Sequence, residues 1–104
     1  MASGRLGNAD LAANTDTVLY TVPAGQVATV TVALVARTAA ATVRVAVAAT
    51  AVPAAAEYLE YDATLPAGGV LERTGIVMSA GEKIVARASV AGVSGRVHGF
   101  EEAA

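Results

Sequence analysis

The chain has 104 residues, Lys+Arg 7, Asp+Glu 9, a single His and no Cys. That is one domain's length of chain. A net charge of -2 argues against electrostatic capture of nucleic acid, and the absence of Cys excludes disulfides, a thiol nucleophile and thiolate metal sites. Hydrophobic residues reach 55% while aromatics are 4%, and 26 Ala and 16 Val supply most of the apolar content. Only 15% of residues are charged, against roughly 25% in an average soluble domain. Such a surface exposes small apolar side chains or buries them on partners, a reading that points to assembly; a bias toward Ala in the coding sequence gives the same numbers.

The first 14 residues are small and polar without a clear period, and are expected to form a short flexible N-terminal arm. Arg5, Leu6 and Leu11 are its candidate contacts with a neighbouring subunit. The segment lacks the continuous apolar stretch of a secretion signal, so synthesis in a host cytoplasm is expected. No apolar run approaches the roughly 20 residues of a membrane-spanning helix, because Arg44 and Glu57 bound the longest one.

From Thr17 onward, period-two alternation with β-branched residues predicts strands over residues 17–22, 26–37 and 42–49. Pro23-Ala24-Gly25 reads as a tight turn with Pro at its second position. The rival for residues 38–56 is an Ala-rich helix. Against it, Val43, Val45 and Val47 line up on a strand and scatter around a helix. Residues 48–56, interrupted by Pro53, read as a connection with room for a short helical turn.

Residues 57–63 alternate again, placing Tyr58, Glu60 and Asp62 on one face and Leu59 and Tyr61 on the other. Residues 70–78 and 83–89 flank Ala80-Gly81 as a hairpin, and residues 94–100 form the last strand before an acidic Glu101-Glu102 tail. Thr21-Val22-Pro23-Ala24-Gly25 and Thr64-Leu65-Pro66-Ala67-Gly68 repeat one another. They mark either equivalent corners of two halves or a convergence of turn chemistry. Seven or eight short strands at this spacing predict an all-β, antiparallel sandwich, jelly-roll-like, over residues 15–104.

Candidate chemistry is sparse. His98 shares a face with Ser94, Arg96 and Phe100, and no strand–Ser–helix elbow accompanies it, so a surface or interface histidine is expected. Glu57, Glu60 and Asp62 form the densest acidic group, without the Gly-containing ligand loop of a calcium site. Arg44 reads as an interface ion-pair partner or as a charge that blunts an edge strand. No catalytic, cofactor or metal residues are assigned. Tyr58, Glu60, Asp62, Arg44 and His98 join the arm residues as candidate interface positions.

Several strings taken together resemble small virion proteins of tailed bacteriophages: residues 19–25, 27–32, 58–62, 71–76, 80–83 and 97–101. The resemblance spans roughly residues 16–102 and implies an accessory structural component, without enzymatic residues or cofactors. The expected role is capsid decoration: a cement protein on the outer capsid that bridges neighbouring major capsid proteins and self-associates. A tail, collar or fibre component is the alternative, and a carbohydrate-binding module a more distant one. The resemblance departs at residues 37–42, where Ala replaces the polar turn residues expected of the family.

Overall fold

Alternation of apolar and polar side chains resolves into two sheets that share one interior. In a computed structural model, which describes residues 2–104, the strands are β1 (Ser3–Leu11), β2 (Thr17–Thr21), β3 (Gln26–Ala36), β4 (Ala41–Ala48), β5 (Tyr58–Leu65), β6 (Val70–Met78), β7 (Lys83–Ala88) and β8 (Val93–Ala103). One sheet, A, has the order β1-β8-β3-β6; the other, B, has β2-β7-β4-β5. Every strand pairing is antiparallel, and the two sheets form the β-sandwich expected from the sequence.

Strand β3 shows how the sequence writes the fold. Ala28, Val30, Val32, Leu34 and Ala36 are buried, whereas Val27, Thr29, Thr31, Ala33 and Val35 are only half-buried on the outer face. Val43 and Val45 of β4 and Ile84, Ala86 and Ala88 of β7 meet them from sheet B. The Ala-rich segment is therefore a strand, and helix is confined to one 3-10 turn, Ala55–Glu57. No polar or charged residue among those described is buried in this interior.

Two expected corners are equivalent, with one adjustment. Both connect sheet B to sheet A, and in both the amide three residues on donates to the proline carbonyl: Gln26 to Pro23 at 3.3 Å, Gly69 to Pro66 at 2.8 Å. Proline thus opens the turn and does not take its second position. Glycine fills the third, where Gly25 and Gly68 have φ of 75° and 78°, a geometry that excludes most side chains. The expected hairpin around Ala80-Gly81 is not one: β6 lies in sheet A and β7 in sheet B, so this turn crosses the sandwich.

The N-terminal arm is corrected more fundamentally. Residues 3–11 form β1, the edge strand of sheet A, paired along β8 from Ser3↔Phe100 to Leu11↔Val93. Leu11 is buried at 1% exposure and Leu6 packs against the core, so neither is free to reach a neighbouring subunit. A polar composition misled here because an edge strand needs apolar residues on one face only. At Gly7, β1 runs so close to β2 that a Cβ would lie 1.9 Å from the Leu19 carbonyl oxygen. The acidic tail is likewise structured, with Glu101 and Glu102 paired inside β8.

Both open sides of the sandwich are bridged. On one, the Tyr20 hydroxyl of β2 donates to Glu101 of β8, whose other carboxylate oxygen accepts the Ala2 amide at 3.0 Å. On the other, Arg73 of β6 reaches Glu60 of β5 at 3.0 Å. Burial, then the neighbouring Glu101 carboxylate, pushes the Tyr20 hydroxyl well above its ordinary pKa. The Tyr20 hydroxyl, then the Ala2 amide, holds Glu101 below its ordinary 4.5.

Leu11→Ala is expected to destabilise the chain by about 2–5 kcal/mol, the usual cost of emptying a leucine site in a core. Deletion through Leu11 should leave an unstable chain. Denaturant melts check both, and an unchanged midpoint contradicts the assignment of β1.

A second expectation concerns acid. Because the unfolded chain takes up the Glu101 proton at higher pH than the folded chain, this stabilisation is complete above pH 4.5 and is lost as pH falls through the lowered folded value. Compared with Glu101→Gln, the parent chain should be more stable at neutral pH. Its advantage should shrink between about pH 5 and 3, whereas a constant difference across that range contradicts the linkage.

Candidate functional site

With an interior of apolar side chains, chemistry is left to the two outer faces. The outer face of sheet B is organised by Arg44 of β4. Its neighbour β5 carries two extra residues: the register runs Val43↔Ala63, Val45↔Glu60, Ala46↔Tyr58. Leu59 and Glu60 therefore share the place opposite Val45, and Tyr61 and Asp62 share the place opposite Arg44. Asp62 adopts a left-handed φ of 51° to complete the second bulge.

These bulges redraw the expected faces. Glu60 and Asp62 do not share one: Glu60 turns to the side of the sandwich and pairs with Arg73, while Asp62 faces outward and accepts from Arg44 Nε at 2.7 Å. Tyr58 and Tyr61 do not lie on opposite faces. They stand together outside, edge to face, with ring centroids 4.9 Å apart and planes at 82°. The Arg44 guanidinium lies 4.1 Å from the centre of the Tyr61 ring. Period-two counting fails at a bulge because each extra residue shifts everything beyond it to the opposite face.

Arg44 sits on a central strand, so it blunts no edge, and its ion pair lies within the chain. The Asp62 hydrogen bond holds its guanidinium all the more firmly protonated. Directly across β7 stands Arg87, which pairs with Asp16 at 3.7 Å. Between the two arginines lies a depression of about 250 Å³ lined by Asn14, Thr42, Arg44, Asp62, Arg87 and Ser89. The sequence held only a partial signal for it: Arg44 and Arg87 both occupy outward positions, but nothing local announces that their strands are adjacent. Beside it the 3-10 turn is fastened by Glu57, which accepts from the Ala54 amide at 2.8 Å and the Ala49 amide at 3.0 Å and is thereby held below its ordinary pKa.

The outer face of sheet A is different. Cross-strand rows place Ser3, Phe100, Thr29 and Val77 side by side, then Arg5, His98 and Thr31, then Asn8, Arg96, Ala33 and Glu72, then Asp10, Ser94, Val35 and Val70. Val77 and Phe100, 76% and 44% exposed, flank Thr29 and make one end of this face apolar, whereas Val70, 62% exposed, stands alone at the other end of β6 beyond Glu72. The β1 side is polar, where Arg37 donates to Ser94 Oγ at 2.7 Å and to Asp10 at 3.1 Å. His98 lies on the face expected for it, with Arg5 as its cross-strand partner and its Nδ1 buried without a hydrogen bond.

Among the described residues, no three His, Asp or Glu side chains gather in metal-binding geometry, and no helix is long and apolar enough to cross a membrane. Comparison with protein-family models, with curated proteins and with solved structures returns no match.

The left-handed backbone at residue 62 yields a direct test. Asp62→Gly is expected to be more stable than Asp62→Ala by about 1 kcal/mol, since both lose the Arg44 pair but only glycine takes positive φ without strain. Equal stability in denaturant melts contradicts the bulge.

Proposed function

We propose that this chain is a structural protein of a bacteriophage particle, a capsid decoration protein that docks on the outer shell through the outer face of sheet A. The observation that carries the reading is the apolar end of that face, where Phe100 and Val77 stand exposed on either side of Thr29, next to the polar row of Arg5, His98 and Thr31. An apolar patch with a polar rim is the composition of a docking surface.

The strands nest as 1 with 8, 2 with 7, 3 with 6 and 4 with 5, which we read as the wrapping of a jelly roll. Two sheets packed on one continuous apolar core make the domain a compact block suited to standing between neighbours. The strings that resemble phage virion proteins fall on β2 and its turn, β3, β5, β6 into β7, and β8, so they run through both sheets. In this role the chain bridges adjacent major capsid proteins, associates with further copies of itself, and stiffens the shell against packaged DNA. Repetition over the shell multiplies weak contacts, so each interface needs only modest area.

The test is binding to purified expanded shells that lack the chain. Saturable binding in fixed stoichiometry and a raised shell melting temperature are expected. Val77→Asp and Phe100→Asp should each reduce occupancy at least about tenfold without moving the melting temperature of the free chain, as charge at an apolar docking centre must be desolvated. Binding confined to tails replaces the location with a tail or collar, and binding to neither contradicts the proposal.

A further inference from the structure

We propose that the outer face of sheet B is a binding site for a neutral saccharide, with Tyr61 as the platform and the Arg44–Arg87 depression as the polar subsite. The site lies on the sheet opposite the docking face and does not depend on the docking reading.

The first support is conformational. Among the described residues seven glycines take positive φ, and only two other residues do so: Asn14 at 53° and Asp62 at 51°. Glycine would meet that geometry at less cost, and elsewhere the chain uses it. The two places where it keeps a polar side chain both line the same depression. Asn14 is held there by its own amide, which donates to the Ala88 carbonyl at 2.7 Å, while its side-chain amide has no partner among the described residues. Asn and Asp are the side chains that tolerate this backbone, and here both turn their polar groups to one depression.

The second support is charge. Arg44 and Arg87 are opposed by Asp62 and Asp16, so the site is neutral overall and rich in both donors and acceptors. A free anion would compete with two carboxylates already in place. A polyol both donates and accepts, and can use the Asn14 amide, the Thr42 and Ser89 hydroxyls and the outer guanidinium nitrogens together.

The third support is shape. The depression of about 250 Å³ takes one ring-sized group. Arg44 lines it, and the Tyr61 ring packs on that same guanidinium. Tyr61 is 58% exposed, and Tyr58 braces it at right angles. A sugar presents an apolar C–H face and a hydroxyl rim, the pairing offered by an aromatic face beside a polar pocket. Two adjoining rings of an oligosaccharide would cover both parts.

The experiment is a titration of the full isotope-labelled chain with a set of neutral hexose and N-acetylhexosamine oligosaccharides, with glucuronate and sulfate as anionic probes, followed by amide shifts. At least one neutral oligosaccharide is expected to bind saturably and to shift amides of residues 14, 42–44, 61–62 and 87–89. Tyr61→Ala and Asn14→Gly should each weaken that binding at least tenfold while the chain still folds cooperatively, Asn14→Gly melting no lower than the parent, whereas Val77→Asp on the opposite face should leave binding unchanged. Binding of the anionic probes alone, binding that survives both substitutions, or no response to any oligosaccharide at millimolar concentration overturns the proposal.

Discussion

The structure depends on a narrow interior lined by small β-branched and methyl side chains. Inner faces built from Val30, Val32, Val43, Val45, Val93 and Val97, with Ala at 28, 36, 41, 86 and 88, let two sheets pack with few bulky fillers. Leu11, Leu34, Met78 and Ile84 are the larger exceptions. A composition that is hydrophobic without bulk is thus the composition of this core, and it forces aromatic and charged residues outward. Three of the four aromatic residues contribute to the outer faces, and the fourth, Tyr20, is buried but turns its hydroxyl to Glu101 at the side.

Nested pairing adds a second consequence. Because β1 lies beside β8, both ends of the chain are held in sheet A. The Ala2 amide, the Glu101 carboxylate and the Tyr20 hydroxyl tie those ends to sheet B. Among the described residues the opposite side carries one side-chain ion pair, Arg73–Glu60, an exposed pair of the kind that contributes little individually. The two sides of the sandwich therefore differ in strength, and β5, with its bulges, is the freer edge.

Strands β3, β4 and β6 were legible from β-branched alternation, strict along β3: β6 occupies the expected residues, and β3 and β4 differ from expectation only at their ends. Three features were not legible, each for its own reason. Strand β1 hides its two leucines among polar residues, since its outer face is solvated and its inner face borrows apolar surface from β8. The β5 faces were not legible because its bulges exist only in the pairing with β4, and no local rule marks an inserted residue. The turn at Ala80-Gly81 has hairpin chemistry, yet its flanking strands belong to different sheets, a distinction that only long-range pairing makes. The binding groups of the candidate saccharide site were scattered for the same reason, with Asn14, Arg44, Asp62 and Arg87 drawn from four separate stretches of chain.

On the proposed reading the two faces have opposite duties, sheet A toward a shell and sheet B toward the surroundings. Cryo-electron microscopy of phage particles assembled in the presence of this chain tests that proposal most directly. The account predicts density for the sandwich on the outer capsid, touching two or more capsid subunits, with Phe100 and Val77 at the contact and Tyr61 facing away. Density with sheet B against the shell, or absence of the chain from the particle, would contradict it.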